Sequence, residues 1–524
     1  MNIVLHLQRQ ASAHPDRPAL LPPNGPAVTF GQLWDQVCRM SAAFRAAGLH
    51  PGDRVVVMIP MSTDLYATLL GLIKMGAVAV FVDPWVGMSR IAAFAAFAEP
   101  AGFAGVPAAH FLRLFHSELR TLRVTLTPGR RLGAFPASLT LSEALRHNPD
   151  PEIFTPDGPG DPALITFTSG SSQTPKGANR THGFLEAQYQ ALRRAHAIRD
   201  DDVDMPLFPV FALRNLADGI PSVIPDVDFR RIANVRPERI LRQIAAHRVT
   251  TCTASPAFLT PLILSGSDPG LRRVLTGGAP VSNDTLRDWQ RAWPHTQIDI
   301  VYGSTEAEPV ASVSLPERLA ADPLRAGACL CGSPVDGLRA RLIRIQPDPV
   351  EFTSWTGLAP LENDSGELVV SGEHVCRDYF RNSDAVRECK FTDDTGTCWH
   401  RMGDTGLFDS QGRFWLTGRV HNCCFRNGRP LLFQELEARA APFFPDVPRL
   451  AVLEWHNKLL LVLQGRAPRQ APVPLDDLRA ADVPMDALYW HPRPLPLDPR
   501  HQSKVDTRRI LHHIDRHPPK FETP

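Results

Sequence analysis

Hydrophobic and polar residues alternate in two recurring patterns along the chain. Residues 29–49 carry apolar side chains at helical spacing, namely Leu33, Val37, Met40 and Phe44. Residues 51–59 then predict a turn that leads into a buried strand, and residues 63–78 predict a second amphipathic helix before the apolar run at 79–82. A helix pattern followed by a strand pattern recurs at 236–256. This alternation favours a parallel sheet with helices packed on its faces.

The pattern changes near residue 419. Residues 413–419 predict the end of a strand-and-turn region, and a new pattern starts at Val420. About a hundred residues follow, which is enough for a small α+β domain. We therefore predict an N-terminal domain at 1–418, a hinge at 419–421 and a C-terminal domain at 422–524.

Composition and charge narrow the possible functions. The 524 residues include 56 basic and 55 acidic side chains, so the net charge of +1 gives no reason to expect a nucleic-acid partner. The first residues lack the pattern of a signal peptide, and no apolar run reaches the roughly 18 residues of a transmembrane helix. Nine scattered cysteines favour a reducing cytoplasm. The pairs Cys329/Cys331 and Cys423/Cys424 lack the spacing of a zinc site.

A polar stretch at 165–182 is the first segment that suggests a chemistry. Small hydroxyl residues and one glycine follow an apolar strand pattern there: Thr168, Ser169, Gly170, Ser171 and Ser172. Lys176 lies just beyond them, between Pro175 and Gly177. Small residues allow backbone amides to approach phosphate oxygens, hydroxyls add donors and lysine adds charge. The segment predicts a phosphate-binding loop, and a flexible serine-rich surface loop is the alternative.

A second segment, at 301–310, combines an aromatic ring, a hydroxyl and a carboxylate. Tyr302 offers a flat face to a purine ring, and Thr305 offers a hydroxyl to a phosphate. Glu306 is a hard oxygen ligand of the kind that Mg²⁺ prefers. The alternative is a turn with an exposed acid. Upstream, residues 274–282 predict a strand that leads into a glycine turn, where backbone can approach a ligand closely.

Two further segments carry charged residues that are candidates for ligand binding. Asp404 lies between glycines at 400–419 and can accept hydrogen bonds from two ribose hydroxyls, and Arg419 ends that segment. A plain β-hairpin is the alternative. Lys504 lies in a polar turn before an amphipathic helix pattern at 495–511, and a solvated surface lysine is the alternative for it.

Together, these four segments resemble the adenylate-forming superfamily of acyl-CoA synthetases, peptide-synthetase adenylation domains and luciferases. Their order and spacing match over nearly the whole chain. The resemblance implies an α/β fold with a large N-terminal domain of stacked α/β subdomains and a small β-rich part. It also implies a small, mobile α+β C-terminal domain.

The resemblance further implies that one group of residues binds ATP. The loop from Thr168 to Lys176 is expected to hold the β- and γ-phosphates. Asp404 is expected to bind the ribose, with Arg419 close by. The remaining nucleotide contacts are expected from Gly277, Gly278, Ala279, Pro280, Tyr302 and Gly303.

The resemblance also implies that a second group acts on the reacting atoms. Thr305 contacts the α-phosphate and Glu306 holds Mg²⁺, while Lys504 reaches the carboxylate and the α-phosphate when the small domain closes. His421 matches the hinge position, where an acid or a lysine is usual. Attack of a carboxylate on a phosphate brings two anions together, so lysine and Mg²⁺ supply the electrostatic stabilisation.

A closer resemblance links the chain to the bacterial olefin β-lactone synthetases. It rests on residues 206–228, on YGSTEAEPV at 302–310 and on DPRHQSKVD at 498–506. Phe208 and Phe211 lie in the stretch where acyl-CoA ligases often carry an H-x-x-G motif, and the resemblance implies that they line an apolar substrate pocket. In that subfamily the adenylate of a long-chain β-hydroxy fatty acid is attacked by its own β-hydroxyl. A β-lactone forms and AMP leaves without CoA, so we expect ATP and Mg²⁺ as cofactors and pathway enzymes as possible partners.

Some positions depart from the superfamily pattern and keep alternatives open. Ser172 and Gln173 replace the usual threonine and glycine, and His421 and the Cys423–Cys424 pair are unusual. The first alternative is a fatty acyl-CoA or acyl-carrier-protein ligase, because Gly428 lies where such enzymes place a glycine near the CoA arm; the use of CoA therefore stays open. The second is an inactive nucleotide-binding homologue, which Gln173 suggests.

Overall fold

The computed structural model describes residues 1–82, 93–94, 97–116, 119–129, 137–167, 176–360, 364–466, 474–497 and 505–518. Some of the predicted site residues lie outside these ranges. They are Thr168, Ser169, Gly170, Ser171, Ser172 and Gln173 of the phosphate loop, and the predicted catalytic lysine, Lys504.

Strands are numbered here in chain order. They are β1 Pro18–Leu21, β2 Val28–Thr29, β3 Arg54–Met58, β4 Val78–Phe81, β5 Gly102–Gly105, β6 Val124–Thr127, β7 Leu139–Thr140, β8 Pro162–Phe167, β9 Gly177–Thr181, β10 Asp204–Pro206, β11 Ser222–Val223, β12 Thr251–Ala254 and β13 Arg273–Gly277. The second half contains β14 Gln297–Ser304, β15 Ala307–Ser314, β16 Cys329–Pro334, β17 Arg339–Ile343, β18 Gly366–Ser371, β19 Lys390–Thr392, β20 Cys398–Phe408, β21 Phe414–Arg419, β22 Cys423–Arg426, β23 Arg429–Leu432, β24 Leu450–Trp455, β25 Lys458–Gln464 and β26 Ala487–His491.

The α-helices are named by their ranges. They span Val4–Ala13, Phe30–Ala46, Thr63–Lys74, Leu112–Phe115, Leu141–Ala144, His182–Ala195, Pro209–Asp218, Pro237–His247, Pro256–Ile263, Asn283–Ala292, Leu315–Ala320, Trp355–Leu358, Ser383–Cys389, Phe433–Ala440, Leu475–Ala480 and Thr507–Arg516. Short 3-10 helices span Pro107–Phe111, Ile232–Asn234, Val420–Asn422 and Ala441–Phe443. No described helix is long and apolar enough to cross a membrane.

The predicted helices and strands of the first half form as the hydrophobic pattern indicates. The helix Phe30–Ala46 begins at a capping box in which Thr29 and Gln32 satisfy each other's backbone amides. Its predicted apolar stripe is buried, and the helix packs on Thr63–Lys74, where Gly71 lets Met40 approach. The helix and strand predicted at 236–256 also form.

Two large sheets organise the described N-terminal part. One has the order β7-β6-β5-β3-β4-β8-β9 and is parallel except for the β8–β9 pair. The other runs β17-β18-β20-β21-β16-β15-β14-β13-β12-β10-β11-β1-β2, with β19 beside β20. Its β14-β13-β12-β10-β11-β1 part is parallel, and its β15-to-β17 part is antiparallel. The predicted α/β class is therefore confirmed, including a β-rich part.

The residues after 419 form a smaller α+β unit with its own core. The hairpin β22–β23 and the three-stranded sheet β24-β25-β26 are its described strands. Phe433, Leu436 and Ala440 of one helix pack against Val452 and Leu461. The apolar face of the helix Thr507–Arg516 packs through Ile510 and Ile514 on the opposite side of the same sheet.

The smaller unit contacts the larger one through the helix Phe433–Ala440. Gln434 Nε2 donates a 2.7 Å hydrogen bond to the carbonyl oxygen of Gly327, and Arg325 Nη1 lies 3.7 Å from Glu435 Oε2. Gly327 has a φ of +71°, and a Cβ there would lie 2.8 Å from the carbonyl oxygen of Gln434 and 2.9 Å from Ala438 Cβ. A glycine at 327 therefore permits this docked arrangement.

Replacement of Gly327 by alanine should loosen this contact. The substitution strains a left-handed backbone by about 1–2 kcal/mol and also places a methyl group against the docked helix. Gly396→Ala is the matched control, because Gly396 has a φ of +78° but a Cβ added there would meet nothing within 4 Å. We expect faster tryptic cleavage at 419–429 in Gly327→Ala than in Gly396→Ala. Equal cleavage rates would show that the contact does not hold the two units together.

Candidate functional site

The turn between β14 and β15 carries two of the predicted catalytic residues, Thr305 and Glu306. β14 ends at Ser304 and β15 begins at Ala307, and these two residues pair across the turn. A Cβ at Gly303 would lie 2.8 Å from the carbonyl oxygen of Ala307, so the turn requires a small residue there. The strand pair thus fixes where the hydroxyl and the carboxylate lie.

A buried arginine supports this turn from β9. Arg180 Nη2 donates a 2.9 Å hydrogen bond to the carbonyl oxygen of Thr305. Burial lowers the pKa of Arg180, while the nearby carboxylates of Glu308 and Glu306 favour its charged form. β9, the strand that follows the predicted phosphate loop, is therefore hydrogen-bonded directly to this turn.

The Glu306 carboxylate has a specific neutral donor. The hydroxyl of Tyr379 donates a 2.8 Å hydrogen bond to Glu306 Oε1. The backbone amide of Cys376 also donates a 2.7 Å hydrogen bond to the carbonyl oxygen of Glu306. Burial, and then the charge of Glu306, raise the pKa of the Tyr379 hydroxyl, so it remains protonated at neutral pH.

A second carboxylate, that of Asp404, joins Tyr302 to Arg419. The Tyr302 hydroxyl donates a 2.7 Å hydrogen bond to Asp404 Oδ2, and Arg419 Nε lies 2.8 Å from Asp404 Oδ1. Asp404 and Arg419 are cross-strand partners on β20 and β21. A carboxylate offers about four acceptor positions, so Asp404 keeps acceptor capacity beyond these two donors.

The predicted glycine turn lies beside Tyr302. β13 ends at Gly277, which pairs with Val301 on the parallel strand β14. A Cβ at Gly277 would lie 2.5 Å from the carbonyl oxygen of Val301, and Gly278 has a φ of +78°. The partly exposed Ala279 and exposed Pro280 follow. Since β13 and β14 are parallel, this turn and Tyr302 share the carboxyl edge of the sheet, where α/β folds commonly bind ligands.

The Lys176 side chain contacts the two residues that immediately precede β19 of the large sheet. Its Nζ lies 2.9 Å from Glu388 Oε2 and 3.5 Å from Cys389 Sγ. Burial lowers the pKa of Lys176, but the contacts with Glu388 and Cys389 outweigh it, so the net pKa is raised. Lys176 therefore carries its charge, and it would have to exchange Glu388 for a phosphate in order to bind one.

The residues predicted to form a substrate pocket lie around the start of one helix. Phe208 immediately precedes the helix Pro209–Asp218, and buried Phe211 lies with its ring centroid 6.3 Å from that of Phe208. A neighbouring apolar cavity of about 60 Å³ is lined by Val210 and Leu213 of this helix. Neither phenylalanine lines it, and it is far smaller than the roughly 300–1,000 Å³ of small-molecule pockets.

The predicted hinge residue His421 is exposed and lies in the 3-10 helix Val420–Asn422, immediately before β22. Arg419 connects this segment to Asp404. A tight turn at Asp409–Gly412 joins β20 to β21, with the Gly412 amide 3.0 Å from the Asp409 carbonyl oxygen.

Sequence reasoning missed Arg180 and Tyr379. Arg180 lies in the same segment as Lys176 but shows no motif that distinguishes it from a surface residue. Tyr379 lies 73 positions from Glu306, so no local pattern joins them. Of the sequence-predicted residues, the structure brings Tyr302, Asp404 and Arg419 together.

Comparisons with known proteins identify the family of the chain. Residues 7–380 match the family model described as AMP-binding enzyme. The chain is 32% identical to an olefin beta-lactone synthetase of Stenotrophomonas maltophilia, over 97% of each chain. It is 31% identical to an olefin beta-lactone synthetase of Xanthomonas campestris, over 86% of this chain and 84% of the relative.

A solved structure with the same fold contains a nucleotide. O-succinylbenzoate coenzyme A synthetase from Bacillus subtilis, in complex with AMP, aligns with a TM-score of 0.75 and 18% identity, over 99% of each chain. This likeness concerns the fold, whereas the family match covers most of the present sequence. The chain belongs to the AMP-binding enzyme family and is an adenylate-forming ligase.

Proposed function

We propose that the protein activates a long-chain β-hydroxy fatty acid with ATP and then closes the acyl group to a β-lactone. The observation that carries the nucleotide half is the joining of Tyr302, Asp404 and Arg419 beside the Thr305–Glu306 turn. The lactone half is supported by the two β-lactone synthetase relatives.

In this proposal the sheet edge binds the nucleotide. Asp404 accepts the ribose hydroxyls while Tyr302 and Arg419 hold its carboxylate in place. The adenine lies against Tyr302, Gly303 and the turn formed by Gly277, Gly278, Ala279 and Pro280. Thr305 donates its hydroxyl to the α-phosphate, and Lys176, with the loop from Thr168 to Ser172, binds the outer phosphates.

The donor set at Glu306 fits magnesium. Among the described residues no cluster of three or more carboxylates, histidines or cysteines is placed to hold a metal by itself. Mg²⁺ commonly binds to one or two carboxylates together with substrate phosphates and water, and Glu306 supplies one such carboxylate. When bound, Mg²⁺ would neutralise phosphate charge during the displacement.

The first step is an in-line displacement at the α-phosphorus. A carboxylate oxygen of the acid forms a bond to this phosphorus, the bond to the β-phosphate oxygen breaks, and pyrophosphate leaves. Thr305 and Lys504 are proposed to stabilise the charge that develops on the α-phosphate oxygens. Lys504 would arrive from the unit after residue 421, with residues 419–421 as the hinge.

The second step is an intramolecular acyl transfer. The β-hydroxyl oxygen forms a bond to the acyl carbon and its proton passes to solvent, while the bond from the acyl carbon to the former carboxylate oxygen breaks and AMP leaves with that oxygen. Phe208 and Phe211 are proposed to line the apolar chain so that the hydroxyl stays near the carbonyl, which raises its effective concentration. A cytoplasmic location and enzymes that supply the β-hydroxy acid belong to the same proposal.

The second candidate is an acyl-CoA or acyl-carrier-protein ligase, which the position of Gly428 suggests. Gly428 has a φ of +77° and follows Asn427, with a φ of +51°, at the tip of the β22–β23 hairpin. A two-residue hairpin with two positive φ values itself favours Asn-Gly. Hairpin geometry therefore accounts for this glycine, and the CoA alternative gains no separate support from it.

Product analysis separates the candidates. The protein would be incubated with ATP, Mg²⁺ and a panel of 2-alkyl-3-hydroxy and plain fatty acids, with and without CoA, and the extracts analysed by mass spectrometry. We expect β-lactone, AMP and pyrophosphate from the hydroxy acids without CoA. Acyl-CoA formation with strict dependence on CoA would contradict lactone closure and favour the ligase.

Replacement of Asp404 tests the proposed ribose site. Asp404→Ala should weaken AMP binding at least about tenfold, because it removes charge-assisted hydrogen bonds. Asp409→Ala is the control, since Asp409 lies at the tip of the same hairpin and likewise binds an arginine, Arg413, and an aromatic donor, Trp415. Isothermal titration calorimetry measures the affinity of each variant for AMP. Equal affinities in the two variants would place the ribose elsewhere.

A further inference from the structure

A short segment at 375–380 contacts both sides of the candidate site. Val375 pairs with Ala307, and the Cys376 amide binds the carbonyl oxygen of Glu306. Three residues later, Tyr379 pairs with Ala178, and the amide of Phe380 donates a 2.8 Å hydrogen bond to the carbonyl oxygen of Gly177. The segment therefore ties the Glu306 turn to the start of β9, directly after Lys176.

The ring of Tyr379 is held inside this junction. Tyr379 is only 4% exposed. The ammonium group of buried Lys390 lies 4.9 Å from the ring centroid, and it donates a 2.5 Å hydrogen bond to the carbonyl oxygen of Cys376. With its backbone paired and its ring beneath a cation, Tyr379 directs its hydroxyl to one place, which is Glu306 Oε1.

We propose that Tyr379 is a positioning residue that orients the Glu306 carboxylate for the metal–nucleotide complex. It does so by occupying Oε1, while no described donor contacts Oε2. The inference rests on the proposed role of Glu306 as the magnesium ligand. Tyr379 itself touches neither the nucleotide nor the reacting atoms in this account.

A neutral donor suits this task better than a charged one. The guanidinium of Arg180 is close enough to Glu306 for the carboxylate to favour the charged form of the arginine, but its hydrogen bond goes to the carbonyl oxygen of Thr305. A tyrosine hydroxyl fixes one oxygen and leaves the full negative charge on the group, whereas an ion pair would neutralise much of it.

The test measures metal binding without turnover. The full chain is mixed with α,β-methylene-ATP and titrated with Mn²⁺, and free Mn²⁺ is followed by electron paramagnetic resonance. Tyr379→Phe keeps the ring and removes the hydroxyl. We expect its Mn²⁺ affinity in the nucleotide complex to fall about tenfold, as for a lost hydrogen bond to a charged group. Affinity for the analogue without metal should stay at the wild-type value, which also reports an intact fold.

Tyr189→Phe is the matched control, because the Tyr189 hydroxyl donates a hydrogen bond of the same 2.8 Å length to a different carboxylate, Asp218. Its Mn²⁺ affinity should not change. Wild-type Mn²⁺ affinity in Tyr379→Phe would overturn the proposal, as would equal losses in the two tyrosine variants. Wild-type Mn²⁺ affinity in Glu306→Gln would also overturn the proposal, because it would show that Glu306 is not a metal ligand. The titration needs no acid, so a failure of adenylate or lactone formation would appear separately, in the product analysis.

Discussion

The hydrogen-bonded carboxylate of Asp404 is the contact on which the candidate site depends. It is 4% exposed, and a buried charge is costly unless donors surround it. Tyr302 and Arg419 supply those donors from β14 and β21. A ribose site at Asp404 therefore needs both strands in their observed places, and the long sheet provides them.

The same strand β14 sets the distance between the two acids of the site. Tyr302 holds Asp404, and four residues further along the chain Glu306 lies in the turn that follows. The turn is fixed by Arg180 on one side and by Tyr379 on the other. Arg180 thus brings one positive charge to the turn that carries Thr305 and Glu306, which suits the proposed reaction between two anions.

Much of the fold and part of the site could be predicted from the sequence. Helical spacing at Leu33, Val37, Met40 and Phe44 predicted a helix that forms with those residues buried. The glycine turn after β13 was also visible locally, because a strand pattern runs into Gly277 and Gly278. Such features depend on neighbours in sequence, so periodicity and turn chemistry reveal them.

The remaining features depend on distant pairings. Tyr302 and Asp404 are 102 positions apart, and only the antiparallel order of β14-β15-β16-β21-β20 brings them together. The roles of these residues came from the family resemblance, and local spacing alone left a plain hairpin as the alternative for Asp404. The ion pair of Lys176 with Glu388 likewise could not be predicted from local sequence, since it spans 212 positions.

The central claim is that a carboxylate oxygen of the acid becomes bonded to the α-phosphorus of ATP. Isotope transfer tests this most directly: the acid is labelled with ¹⁸O in its carboxylate, turned over with ATP and Mg²⁺, and the AMP is analysed by mass spectrometry. The account predicts AMP that carries one ¹⁸O atom. Unlabelled AMP, or ADP together with labelled inorganic phosphate, would contradict it.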